Sequence, residues 1–313
     1  MPVSIEKIPW GGWPNCWRIS NGEADLIVTQ DIGPRIMRYG FTGGQNFFKI
    51  FEDQAGKSGE PDWQLRGGHR VWLAPEDARL TYEPDNSPVD IEVRNGILTA
   101  TQPVEPLTGL RKQMVVKLAE TATDVEVLHR MQNTLTETIE VSAWAVTMLT
   151  PGGTAITGFP PRANHADFLA PTNPLVMWAF TDLSDPRWTF FEKYLVLRQN
   201  PANTVHNKLG HFNEDTWGGY LLGSEMFLKW SAADSAQRYP DFGCSCELFV
   251  SDVMLEIETL SPLTRLEPMA WIEHIEHWSL HRNVTMAEWS GIALGSTLKP
   301  ILANRKQGIH AKL

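Results

Sequence analysis

Asp124-Val125-Glu126-Val127-Leu128-His129-Arg130-Met131-Gln132-Asn133 decides the fold class. Val125, Val127 and Met131 share one parity, while Asp124, Glu126 and Arg130 share the other. Successive side chains of an extended strand point to opposite faces, so this alternation describes a sheet with one buried and one wetter face. The β signal continues on both sides: residues 111–118 and 138–149 read as long strands. Residues 16–20 and 23–29 flank Asn21-Gly22, and 89–94 and 97–101 flank Asn95-Gly96. Asn-Gly is a two-residue hairpin turn because both residues tolerate positive φ. Repeated short strands with Gly, Pro and Asn turns predict an all-β sandwich or barrel rather than βα units.

The chain has 313 residues and no Ser/Gly-rich or Pro-rich linker, so one large domain over 1–313 is expected. Residues 151–201 carry Pro160-Pro161, Pro171, Pro174 and Pro186. Proline fits poorly in central strands, so this segment is predicted to cross one end of the sandwich and to form part of a site rim. Thr285 and Glu288 make a capping box for a helix over 285–295, followed by a loose, more basic tail at 299–313. A formal charge of −10 argues against a nucleic-acid backbone or an anionic membrane as partner. No apolar run approaches the ~20 residues of a membrane span, and the first ten residues lack a signal-peptide pattern. Cys16, Cys244 and Cys246 complete no disulfide framework and read as small hydrophobes in a reducing compartment. A soluble cytoplasmic protein is expected.

Two stretches point to a site. The first is Arg66-Gly67-Gly68-His69-Arg70-Val71-Trp72-Leu73-Ala74-Pro75-Glu76-Asp77. Paired glycines allow a sharp turn or a close approach, arginine supplies a planar donor fork, and tryptophan supplies a flat apolar face. Hydroxyls around an apolar ring face, as in a sugar, suit that set; a turn rich in salt bridges is the plain alternative. The second is Met254-Leu255-Glu256-Ile257-Glu258-Thr259-Leu260-Ser261-Pro262, where Glu256 and Glu258 share a strand face. Two close carboxylates resist double ionisation, which raises the pKa of one.

These stretches together resemble the galactose mutarotase-like superfamily, the aldose 1-epimerases and their relatives. Leu255-Glu256-Ile257-Glu258-Thr259-Leu260 is similar to a late strand that carries the family's catalytic glutamate, with Glu258 where Gln is frequent. Residues 24–39, with Gly33-Pro34-Arg35-Ile36, look like the opening strands. Lys208-Leu209-Gly210 with Trp217 and Tyr220 looks like a bacterial branch of the superfamily. The resemblance implies a β-supersandwich, a cleft on a concave sheet face and no cofactor. It also implies a sugar or sugar derivative as ligand. The implied function is carbohydrate binding with acid–base isomerisation or epimerisation at the anomeric centre. Glu256 would be the base and His69 the acid, with Arg66, Arg70, Trp72, Glu76, Asp77, Lys208, Trp217 and Glu258 around the substrate.

One departure weakens the catalytic reading. The family's mid-chain histidine has no counterpart in Val141-Ser142-Ala143-Trp144-Ala145-Val146-Thr147-Met148-Leu149, where Trp144 or Thr147 takes its place. His165, His206 and His211 are substitutes that spacing does not rank. A non-catalytic sugar-binding protein and a sugar lyase on the same fold therefore stay open as alternatives. His274, His277 and His281 lie on an alternating stretch that puts His274 opposite the other two, so no metal site is expected. Most of the thirteen tryptophans are expected in the core, with Trp72 and Trp217 as ligand walls.

Overall fold

A computed structural model describes residues 2–304. Two large antiparallel sheets account for nearly all the regular structure. The first has eleven strands. Its spatial order is β1 (Ser4–Trp10), β2 (Trp13–Ser20), β3 (Ala24–Thr29), β4 (Arg35–Phe41), β5 (His69–Ala74), β10 (Ile139–Leu149), β19 (Leu255–Leu260), β18 (Cys246–Val250), β15 (Asn207–His211) and β12 (Leu175–Met177). β20 (Thr264–Leu266) pairs separately with β10. The second has ten strands. They run β13 (Trp188–Phe190), β14 (Tyr194–Arg198), β11 (Thr154–Gly158), β16 (Asp215–Leu222), β17 (Glu225–Ala232), β21 (Trp271–His281), β9 (Val125–Asn133), β8 (Leu110–Leu118), β7 (Ile97–Thr101) and β6 (Asp90–Arg94).

The sandwich arises from the alternation described above. Val125, Val127 and Met131 of β9 are buried, while Glu126 and Arg130 are half-exposed. The main core joins Leu26, Val28 and Tyr39 of the first sheet to Val116, Val127, Phe227 and Trp278 of the second. Each such large apolar side chain contributes about 1.5–3 kcal/mol on burial. Among the described residues no helix is long and apolar enough to cross a membrane.

The two Asn-Gly turns differ. Arg94 pairs with Ile97, and Asn95 and Gly96 both have positive φ, as a two-residue hairpin requires. At Asn21-Gly22 the pairing is Ser20 with Asp25, so the link is four residues. Asn21 Oδ1 accepts from the Glu23 and Ala24 amides, which turns the chain through its side chain instead.

The helix expected at 285–295 is α1, which spans Gly291–Asn304. The Thr285–Glu288 box does not start it. Ser290 does, with its hydroxyl accepting from the Ala293 amide three residues on. Residues 299–304, expected as tail, belong to this helix, and 305–313 lie outside the described residues. The proline-rich segment holds four short strands, β11 to β14, between its loops.

Candidate functional site

The site is built on the middle of the first sheet, where β5, β10, β19, β18 and β15 lie side by side. Directly opposed residues of paired strands share a face. Val146 is opposite Arg70 on one side and Glu258 on the other, and Glu247 extends that row. The neighbouring row on this face is Met148, Glu256, Phe249 and Lys208. On its other side lie Trp72, Trp144 and Leu260. This is the outer face, away from the second sheet. The rows between point inward: His69, Thr147 and Ile257, then Val71, Ala145 and Thr259.

Loops roof the outer face. Trp63 and Tyr82 pack on Trp72 with ring centroids 5.9 Å and 5.3 Å away, and Trp72 meets Trp144 at 5.2 Å. The Arg70 guanidinium lies 4.0 Å from the Trp72 ring and 5.1 Å from Trp63. Lys208 Nζ is 2.8 Å from Glu258 Oε2 and 2.7 Å from Glu247 Oε2, between the rings of Trp144 and Trp178. Trp144 Nε1 donates to the same Glu258 oxygen at 2.6 Å. Glu247 Oε2 is ion-paired with Lys208, while Glu247 Oε1 has no hydrogen-bond partner. Tyr82 donates its hydroxyl proton to Glu76 at the exposed edge.

Among the described residues, buried polar side-chain atoms with no hydrogen-bond partner gather here: Arg70 Nε, Nη1 and Nη2, Trp63 Nε1, Glu247 Oε1 and Glu258 Oε1 are six of them, leaving aside Glu247 Oε2, which is ion-paired with Lys208. Buried polar groups in folded proteins are nearly always paired, so this concentration marks a place made for something polar.

Electrostatics agree. Burial, then the nearby Glu258, push the Glu256 carboxyl up to about 8, against the pull of Lys208 and Arg70. Burial, with Glu258 and Asp241, holds Glu247 well above the usual carboxylate range. Burial weighs against the charge on Lys208, but Glu247 and Glu258 outweigh it and raise its pKa. Burial and Arg35 work against the charged form of Arg70. A guanidinium nevertheless keeps its proton in proteins, so its charge needs an anion.

The structure separates the residues that the sequence grouped. Glu256, Glu258, Arg70, Trp72 and Lys208 share the outer face, with Glu76 at its rim. His69 does not join them. Strand alternation turns it inward, 0% exposed, where Nδ1 meets Thr147 Oγ1 at 2.8 Å and Nε2 meets His129 Nε2 at 2.9 Å. The expected pairing of His69 with Glu256 across one cleft is therefore corrected. Arg66 is a clamp rather than a ligand group: it donates to Gln54 O, Lys57 O, Asn86 and Glu60 in the covering loop. Gly67 and Gly68 serve the close approach their sequence suggests, since a Cβ on Gly67 would lie 1.9 Å from Lys49 O and one on Gly68 2.6 Å from Ile36 O. Asp77 is exposed and caps a turn through the Arg79 and Leu80 amides, which lower its pKa. Trp217 lies on the far side of the second sheet in the cluster that seats α1, so it is no wall of this site. Glu247, Trp63 and Tyr82 were not singled out from sequence; Glu247 carried one usable signal, a lone acid between Cys246 and Leu248 in an apolar strand.

Between the sheets the ligating atoms of His69, His129 and Glu276 lie within 4.8 Å of one another. That spacing suits a metal ion, but Lys229 already supplies a cation, with Nζ 2.5 Å from Glu276 Oε1. Lys229 also donates to Ala145 O, Thr147 Oγ1 and Ile257 O. His274 contacts Thr259 Oγ1 at 2.8 Å. The geometry is that of a hydrogen-bonded layer in which His129 Nδ1 alone of these buried side-chain atoms has no hydrogen-bond partner.

No protein-family model and no curated protein matches the sequence. Solved structures do match the fold. A protein from Synechocystis sp. PCC 6803 is 10% identical at a TM-score of 0.57, covering 88% of this chain and 99% of its own. A galactose mutarotase-like protein from Lactobacillus casei is 10% identical at 0.54, covering 85% and 100%. A galactose mutarotase related enzyme from Lactobacillus acidophilus is 10% identical at 0.53, covering 86% and 98%. At such identity the likeness is one of fold, and the fold is the all-β supersandwich of galactose mutarotase-like proteins.

Proposed function

We propose that this protein binds a sugar on the outer face of the first sheet and isomerises or epimerises it by proton transfer through Glu256. The reading is supported above all by the six unpartnered polar atoms beside Glu256, framed by Trp63, Trp72, Tyr82 and Trp144. Flat rings suit the apolar face of a pyranose, and the orphaned donors and acceptors suit its oxygens. The galactose mutarotase-like fold is consistent with a carbohydrate ligand.

A carboxyl held near 8 is mostly protonated at neutral pH and within easy reach of ionisation, which suits a group that both gives and takes a proton. Anomeric exchange needs one proton placed on the ring oxygen and one removed from the anomeric hydroxyl. Glu256 gives its proton to the ring oxygen. Tyr82 Oη accepts the hydroxyl proton as its own passes to Glu76, to which it is already hydrogen-bonded. Ring closure on the other face reverses both transfers. His69 takes no part, being on the opposite side of the sheet.

That displacement of His69 favours a second reading, in which the site binds a sugar without turning it over. Calorimetry on a sugar panel, paired with NMR exchange between α and β anomers, separates the two. Glu256→Gln keeps the shape of the side chain and a hydrogen bond but cannot carry the proton. It is expected to retain binding and to lose exchange by about 10²–10⁴-fold. Equal exchange in wild type and variant would remove Glu256 from the mechanism. Binding with no exchange in the wild type would establish the second reading.

A further inference from the structure

Three buried arginines stand close together and are treated differently. Arg35 uses all five N–H donors, on Asp85 twice and on the Gln64, Leu65 and Gly67 carbonyls. Arg66 uses all five as well, on Asn86 twice, Glu60 and the Gln54 and Lys57 carbonyls. Arg70 is 2% exposed and uses none. Its nearest acid, Asp85, is 3.7 Å away and already bonded to Arg35 at 2.8 Å and 2.9 Å. The Trp72 and Trp63 rings cover the faces of the guanidinium and leave its edge, where the donors are, unanswered.

The unanswered atoms are also sorted by kind. Arg70 and Trp63 Nε1 are donors only, while Glu258 Oε1 accepts when ionised, and Glu247, held well above the usual carboxylate range by burial, both donates and accepts as the acid. Arg70 and Glu258 flank Val146 in one cross-strand row, two strand spacings or roughly 10 Å apart. A ligand that fits has an acceptor-only group at one end and hydroxyls at the other. Lys208 is matched by Glu247 and Glu258, so the unmatched positive charge is that of Arg70 alone. One guanidinium matches a monoanion. A phosphate near its second ionisation carries more negative charge than one guanidinium matches.

We propose that the ligand is a sugar acid whose carboxylate sits on the Arg70 fork and whose hydroxyls reach Glu247 and Glu258. This rests on the sugar-binding reading of the same site. The probes are D-galacturonate, its methyl ester, D-galactose and D-galactose 6-phosphate, with the same quartets in the gluco and manno series, titrated calorimetrically into the whole protein. In at least one series the free acid is expected to bind about tenfold or more tighter than ester, neutral sugar and phosphate, the size of a charge-assisted bidentate contact. Arg70→Met is expected to abolish that preference, so that acid and ester bind alike. Should Arg70→Met fail to fold, the acid-against-ester comparison on the native protein decides alone. Equal binding of acid and ester, or tighter binding of the phosphate, overturns the sugar-acid assignment and leaves the sugar-binding reading standing. No binding in any series overturns both.

Discussion

Between the sheets, β5, β10 and β19 present His69, Thr147 and Thr259 to Lys229, Glu276, His129 and His274. On the outer face the same strands present Arg70, Trp144, Glu256 and Glu258. Both layers are buried and charged, but the inner one leaves a single buried atom of these side chains, His129 Nδ1, without a hydrogen-bond partner, and the outer one leaves several. Inside, Lys229 has four acceptors and Glu276 accepts from Thr259 and Trp278 as well. Outside, six polar atoms wait for partners. A satisfied buried network holds a fold, whereas an unsatisfied one costs stability that a ligand can restore.

The largest effect expected from this contrast is on folding. Lys229→Met leaves Glu276 buried without its cation and is expected to lower the unfolding free energy by about 3–5 kcal/mol. Arg70→Met on the outer face removes a buried charge that has no hydrogen bond of its own. It is expected to unfold no more easily than wild type. Denaturant titrations of both variants measure this, and a Lys229→Met loss under about 1 kcal/mol would break the distinction between the layers.

The layers also respond oppositely to pH. Glu256 is raised from 4.5 to about 8, so its folded form binds a proton that the unfolded chain has released. Its contribution is full below about 4.5 and lost as pH rises through 8. His274 is lowered by burial from 6.5 to about 3, and His69 is lowered in the same sense. Their contribution is present above 6.5 and lost as pH falls toward 3. Each proton changes stability by about 1.4 kcal/mol per pH unit across its window. Glu256→Gln should therefore gain on wild type as pH climbs from 5 to 8, and His274→Gln as pH drops from 6.5 to 4. Parallel curves for wild type and Glu256→Gln across the alkaline limb would show that Glu256 titrates normally.

Much of this was legible in the sequence because strand parity is a local property. The alternation in 124–133 located the sheet, and the shared parity of Glu256 and Glu258 put both on one face. The same rule places Arg70 and His69 on opposite faces, since they are neighbours in one strand. Grouping them by motif overrode the parity that separates them. The inner layer was harder to see. His129 sits on the apolar parity of β9 and Lys229 on the inward parity of β17, but each is a lone polar residue whose partners are far away in sequence. Only the register between strands brings them together. The roof of the site was illegible for the same reason: nothing near Trp63 or Tyr82 says which strand their loops fold over.

The smallest expected effect concerns Trp217, which the sequence set beside Trp72. It packs with Ile156, Val196, Leu294 and Leu298, beneath α1 and on the far side of the second sheet. A site on the outer face of the first sheet is separated from it by both sheets and the core between them. Trp217→Phe trims one ring and leaves an aromatic in place, so a modest stability loss of about 1 kcal/mol is expected from the smaller side chain. Sugar affinity should move by less than about twofold, because sites without shared partners act almost independently. Trp72→Phe, by contrast, removes part of the surface on which Arg70 lies and should weaken the same ligand. Calorimetry on the two variants compares them directly. If Trp217→Phe weakens binding as much as Trp72→Phe does, the ligand sits against the second sheet beside α1, and the outer-face assignment fails.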